Sequence, residues 1–240
     1  MVQLFMLGID PLTLTSLLVL AGNTLSCPSR EATKINIVPQ TTKVKYDYKQ
    51  SLKQIQKYST DTVDPYGFHG TTVTQGFMSG QIGMEHKISF GQSINKKRGY
   101  ACIWYKDITV NIKIDPKIVI ASELYKDKCM RKAILGHELL HVRVDREIVN
   151  KYAKTMGNKL LKGLKSRGFS AGPIRIDRVN EVSRKMQKVV GQILKLEYQK
   201  LGIERQERQR DVDSLEEYES VDDKCPSFEH KKKKLYSDLL

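Results

Sequence analysis

The sequence predicts an α+β domain in which an antiparallel or mixed N-terminal sheet is followed by two long helices. Three observations carry that reading. Short apolar alternations broken by Gly, Thr and Ser fill residues 31–114. A helical apolar period with no proline runs between Pro116 and Pro173, and a second begins at Arg178. Strands come first and helices afterward, the order of an α+β chain.

Taken in order, Leu12 to Leu20 is an apolar run too short to span a membrane and followed by small residues near Ala21-Gly22. Residues 1–26 are therefore expected to be a signal peptide, although no Lys or Arg precedes the run. Thr24-Leu25-Ser26-Cys27 has a faint likeness to a lipoprotein box. Ile35 and Ile37, then Val44, Tyr46 and Tyr48, mark one or two strands, and Ser51 is placed to cap a short helix bearing Leu52, Ile55 and Tyr58. Asp61 to Lys97, rich in glycine, reads as strands joined by turns. Tyr100–Tyr105 and Ile108–Ile114 read as a strand pair, with Lys106-Asp107 the turn, Asp115-Pro116 the stop and Trp104 packed beside it. The first long helix starts between Ser122 and Lys128 and ends by Gly168, with Gly157-Asn158 a candidate interruption. From Arg178 the second carries Val182, Met186, Val189, Val190, Ile193 and Leu201 on one face. Residues 31–225 form the domain and 226–240 a basic tail; the charged stretch from Gln206 onward carries Val212, Leu215, Tyr218 and Val221, which are able to dock it.

A chain of 240 residues can bury one good core. Its formal charge of +14 favours anionic partners such as a cell-envelope polymer. The Lys231–Lys234 run has no aromatic residue interleaved, so the stacking half of a single-strand nucleic-acid platform is missing there, and nucleic acid is not expected as a partner. No transmembrane span is expected in the mature chain. Four cysteines, Cys27, Cys102, Cys129 and Cys225, lack C-x-x-C spacing; in an exported chain a bridge among Cys102, Cys129 and Cys225 is expected, with a thiol or lipidated Cys27 left over.

One motif carries chemistry. His137-Glu138-Leu139-Leu140-His141 has two imidazoles four residues apart, and on a helix these lie one above the other and reach a single ion. The intervening glutamate is then placed as general base toward metal-bound water. Met130, Ile134, His137, His141, Ile148 and Tyr152 recur at helical spacing and turn the pair toward the interior. Zinc needs a third protein ligand. Glu197 is expected to supply it, because it lies on the apolar stripe of the second helix, where a carboxylate is costly unless paired or metal-bound. Asp145, Asp213 and Glu217 are the alternatives. Asp145, two turns from His137 and about 12 Å along the axis, is better placed to orient an imidazole than to ligate. Val144 stands where the extended H-E-x-x-H-x-x-G-x-x-H pattern has its glycine, so Glu147 points away from the pair.

Locally, H-E-L-L-H-V-R-V-D resembles the thermolysin-type, or gluzincin, pattern H-E-L-x-H-x-x-x-D, in which a glutamate from a later helix is the third ligand. The departure is downstream, where Leu201 rather than Asp follows Glu197 by four. Over most of residues 40–225 the chain resembles the bacterial family of predicted secreted zinc-dependent proteases. The likeness rests on Tyr46–Tyr58, the Gly67 to Gly76 turns, the cysteine-bearing strands at 102–114, Pro116 and the motif helix. It implies a zincin-like fold, export to the periplasm or beyond, and peptidase activity on a peptide or protein substrate. The function expected is zinc-dependent hydrolysis, with His137, His141 and Glu197 on Zn2+ and Glu138 catalytic, and with the Tyr100–Ile114 strands offering an edge to an extended peptide. The rival is a zincin-like binding module that holds an anionic envelope polymer without catalysis.

Overall fold

The structure, a computed structural model, describes residues 26–58 and 73–237; the signal-peptide reading of the N-terminus falls almost wholly outside them. The strands are β1 (Lys34–Thr41), β2 (Lys45–Asp47), β3 (Gly76–Asn95), β4 (Tyr100–Ile120) and β5 (Ser170–Arg175). The helices are α1 (Leu52–Ile55), α2 (Ser122–Tyr125), α3 (Lys128–Arg167), α4 (Val179–Val212), α5 (Leu215–Asp223) and α6 (Glu229–Ser237).

The sheet corrects the expectation of an antiparallel or mixed N-terminal one. Its path β1-β4-β2 is parallel throughout, while β3 and β5 pair with β4 off that path. It is also not confined to the N-terminal part, since β5 comes between the two long helices. β3 runs antiparallel along the whole of β4, so β5, β1 and β2 line the other edge of β4 end to end, opposite residues 100–104, 107–114 and 117–119. The strand expected to offer an open edge to a peptide is therefore the centre of the sheet.

The misread turn has a physical cause. The buried side chains of β4 change phase between Tyr105 and Ile108, which looks like a chain reversal. In fact Ser89 pairs with Asp107 and Phe90 with Tyr105, so Lys106 is an extra residue on β4. A bulge flips the alternation without ending the strand. The reversal lies instead at residues 96–99, where Gly99 has φ +72°. Pro116, expected to stop the strand, sits inside it. It falls between the segments paired with β1 and with β2, where no neighbour asks for its missing N–H. Trp104 lies across Gly91, where any Cβ would come within 2.3 Å of the ring.

The helices behave closer to expectation. Ser51 caps α1 through a reciprocal capping box with Gln54, and Leu52 and Ile55 are buried. Asp127 caps α3 by accepting from the Cys129 and Met130 amides, and Gly168, at φ +93°, follows its end. The forty residues between run without interruption through Gly157-Asn158, about 60 Å of helix. α3 packs into two apolar clusters: Met130, Ala133, Ile134 and Val142 join one with α1 and the end of β4, whereas Val144 through Leu164 join the other with β4 and α4. α4 lies antiparallel beside α3, as the pairs Glu147–Arg208, Lys151–Glu204 and Gly163 beside Ile193 show. The histidine motif sits where the two clusters meet.

Two disulfides pin the ends. Cys27 pairs with Cys102 and Cys129 with Cys225, which corrects the expectation of one bridge with Cys27 left over. The second ties the first turn of α3 to the chain after α5, and Val221, Cys225 and Phe228 are buried there. Among the described residues, no helix is long and apolar enough to cross a membrane.

Candidate metal site

The i, i+4 spacing on α3 stacks His137 and His141, with Nε2 atoms 3.3 Å apart. α4 ends at Val212, and its C-cap, Asp213, turns a carboxylate between them. Asp213 Oδ1 is 3.3 Å from His137 Nε2 and 3.0 Å from His141 Nε2. These three donors are the candidate ligand set among the described residues. They fit an ion: donors about 2.0–2.1 Å from a tetrahedral metal lie about 3.3 Å from one another. Three donors would leave a fourth corner of a tetrahedral ion open.

Glu138, next to the first ligand, is 4 % exposed, and its Oε2 has no hydrogen-bond partner among the described residues. Its carboxylate faces Gly76 at the start of β3, where an added Cβ would come 3.6 Å from Oε1. Burial above all pushes its pKa up to about 7, against the pull of the His141 and His137 charges. Burial also works against a charge on His141, but the hydrogen bond and charge of Asp213 outweigh it, with help from Glu138 and Gln209, and take the pKa up to about 9. Asp213 is buried enough to resist ionising, yet bonds from both histidines hold it down to about 2. Without metal, the trio is therefore a carboxylate paired with an imidazolium, and an incoming cation must displace a proton.

Behind His141 a polar ladder joins the helices. His141 Nδ1 lies 2.5 Å from Gln209 Oε1, and Gln209 Nε2 donates to Asp145 Oδ1 (2.7 Å) and to the His141 carbonyl (3.1 Å). Asp145, 0 % exposed, also accepts from Arg205 Nε and Nη2, and Arg205 Nη2 reaches the Gly80 carbonyl on β3 at 3.0 Å. Asp145 thus orients His141 at one remove, through Gln209.

Glu197 is not brought to the histidines, which corrects the expected third ligand. It is on the buried face, 3 % exposed, but its carboxylate bonds Lys200 at 2.8 Å. It precedes Asp213 by sixteen residues of helix, about 24 Å along the axis. Glu147 pairs with Arg208 and stands away from the site, as its spacing implied. Arg205 and Gln209 went unread in the sequence, although a signal existed. Arg205, Gln209 and Asp213 are spaced by four, matching His137, His141 and Asp145, so two antiparallel helices present facing ladders.

No protein-family model, curated protein or solved structure matches the chain. The likeness to secreted zinc-dependent proteases consequently rests on the sequence alone, and what the structure shows is that His137, His141 and Asp213 are grouped so that they could hold a metal ion.

Proposed function

We propose that this protein is an exported zinc-dependent hydrolase acting on peptide bonds. The observation that carries the reading is the triangle of His137, His141 and Asp213 donors, 3.0–3.3 Å on a side, with the buried Glu138 carboxylate on the next residue. Bound there, zinc supplies Lewis acidity and a water whose pKa falls from 15.7 toward about 7. The two imidazoles offer neutral lone pairs at Nε2, and Asp213 brings the negative charge that offsets the cation. Glu138 takes the proton of the attacking water and can pass it to the leaving amine. A pKa raised by burial and drawn back by a nearby cation suits both halves of that task. The choice of zinc follows from two nitrogen ligands and one carboxylate in a small, three-cornered site. The choice of a peptide bond follows from the resemblance of the motif, and export from the two disulfides, which persist in oxidising compartments.

The reading is tested by loading the purified chain with one equivalent of zinc and following cleavage of an unfolded protein substrate. Cleavage that chelation abolishes and zinc restores is the expected result. A wild-type chain that takes up no zinc at neutral pH would sink the proposal.

A further inference from the structure

We infer that Gln209 is a positioning residue that fixes His141 as the tautomer with its proton on Nδ1, and that Arg205 sets the direction of this hydrogen-bond chain through Asp145. The inference rests on the reading that His137, His141 and Asp213 hold a metal.

The argument is one of polarity. A guanidinium has only donors, so Arg205 donates and Asp145 accepts, at 2.7 and 3.1 Å. Asp145 Oδ1 already takes the Arg205 Nε–H, and it faces Gln209 across 2.7 Å. Only the NH2 end of the Gln209 amide can face it. The same NH2 lies 3.1 Å from the His141 carbonyl, a second acceptor. Flipping the amide would set its oxygen against two acceptors in a buried place, where an unmet polar contact costs about 1–3 kcal/mol each. Oε1 must therefore point to His141, and at 2.5 Å it accepts the Nδ1–H. A proton held on Nδ1 leaves the Nε2 lone pair for the metal, on the side where Asp213 and His137 wait.

The partner histidine lacks this device. His137 Nδ1 is buried with no hydrogen-bond partner among the described residues, so its ring is oriented only from the Nε2 side, by Asp213 and His141. One site thus contains a histidine oriented by a relay and a histidine that serves as its internal control. The relay also links the ligand shell to the sheet, since Arg205 anchors on the Gly80 carbonyl.

The test uses the full chain, labelled with 15N at histidine and loaded with zinc or with 113Cd, and reads two quantities. One is metal affinity by chelator competition; the other is the NMR signature of each ring. In wild type, cadmium couples to His141 Nε2, and the His141 Nδ1–H exchanges with solvent more slowly than that of His137. Gln209→Leu removes the acceptor: affinity falls about 10–100-fold, and the Nδ1–H of His141 loses its protection while His137 is unchanged. Arg205→Met removes the donor that holds the Asp145 carboxylate in place, so the Gln209 amide loses its fixed direction, and affinity falls although the substitution is two turns from Asp213. A Gln209→Leu chain with wild-type affinity and an unaltered Nδ1–H overturns the relay and leaves the metal site standing. A wild type that binds neither metal overturns both. If Gln209→Leu does not fold, wild type alone decides, because cadmium coupling at His141 Nδ1 overturns the assignment.

Discussion

Replacing Asp213 by Asn separates the third ligand seen here from the one the apolar stripe pointed to. The carboxylate Oδ1 lies 3.3 and 3.0 Å from the two Nε2 atoms, so the substitution removes one corner of the site and its only formal negative charge among the ligands. Zinc sites of four ligands bind with about 10–16 kcal/mol, or about 3 kcal/mol for each ligand. Asp213→Asn should therefore weaken zinc binding about 10²-fold. Glu197→Gln, about 24 Å away along the helix, should leave affinity unchanged, because its carboxylate bonds Lys200 and not the histidines. Competition against a chromophoric chelator at fixed pH measures both, and a cooperative thermal melt confirms that each variant is folded. Wild-type affinity in Asp213→Asn, or lost affinity in Glu197→Gln, would refute the assignment.

The other expectations are narrower. Glu138→Gln keeps the shape of the side chain but cannot take a proton, so zinc stays bound while hydrolysis falls by about 10²–10⁴-fold in a steady-state assay; full activity in this variant would remove Glu138 from the mechanism. Metal-free protein should lose stability as pH rises from mildly acidic to alkaline. Glu138 and His141 both hold a proton more tightly folded than unfolded, so their contribution is complete below the ordinary values of 4.5 and 6.5 and is lost as pH passes about 7 and about 9. Asp213, held down to about 2, acts in the opposite sense and matters only in strong acid, and urea unfolding of chelated protein across the range checks the balance. Replacing Cys129 and Cys225 together by Ala opens a link spanning 96 residues and should cost about 2–5 kcal/mol in denaturant unfolding; an unchanged midpoint would mean that the tail holds itself in place.

What the sequence determined by itself was whatever depends on near neighbours along the chain. The histidine pair and its glutamate, the stop of α3 at Gly168, the start of α4 next to Arg178 and the Ser51 cap of α1 all follow from signals between near neighbours along the chain. The rest depended on chain segments far apart. Lys106 is indistinguishable from a turn until β3 shows one residue fewer opposite it. The parallel pairing of β1 and β2 with β4 leaves no local mark, because a crossover carries none in the strands themselves. Glu197 and Asp213 are both carboxylates on the buried side of one helix, and only the antiparallel register of α4 against α3 decides which arrives at the histidines. That register is set by packing of Val190, Leu194 and Leu201 among the side chains of α3, a long-range fit that no window of sequence contains. Once it is set, a helix advances 1.5 Å per residue, so a choice between two acids becomes a difference of about 24 Å.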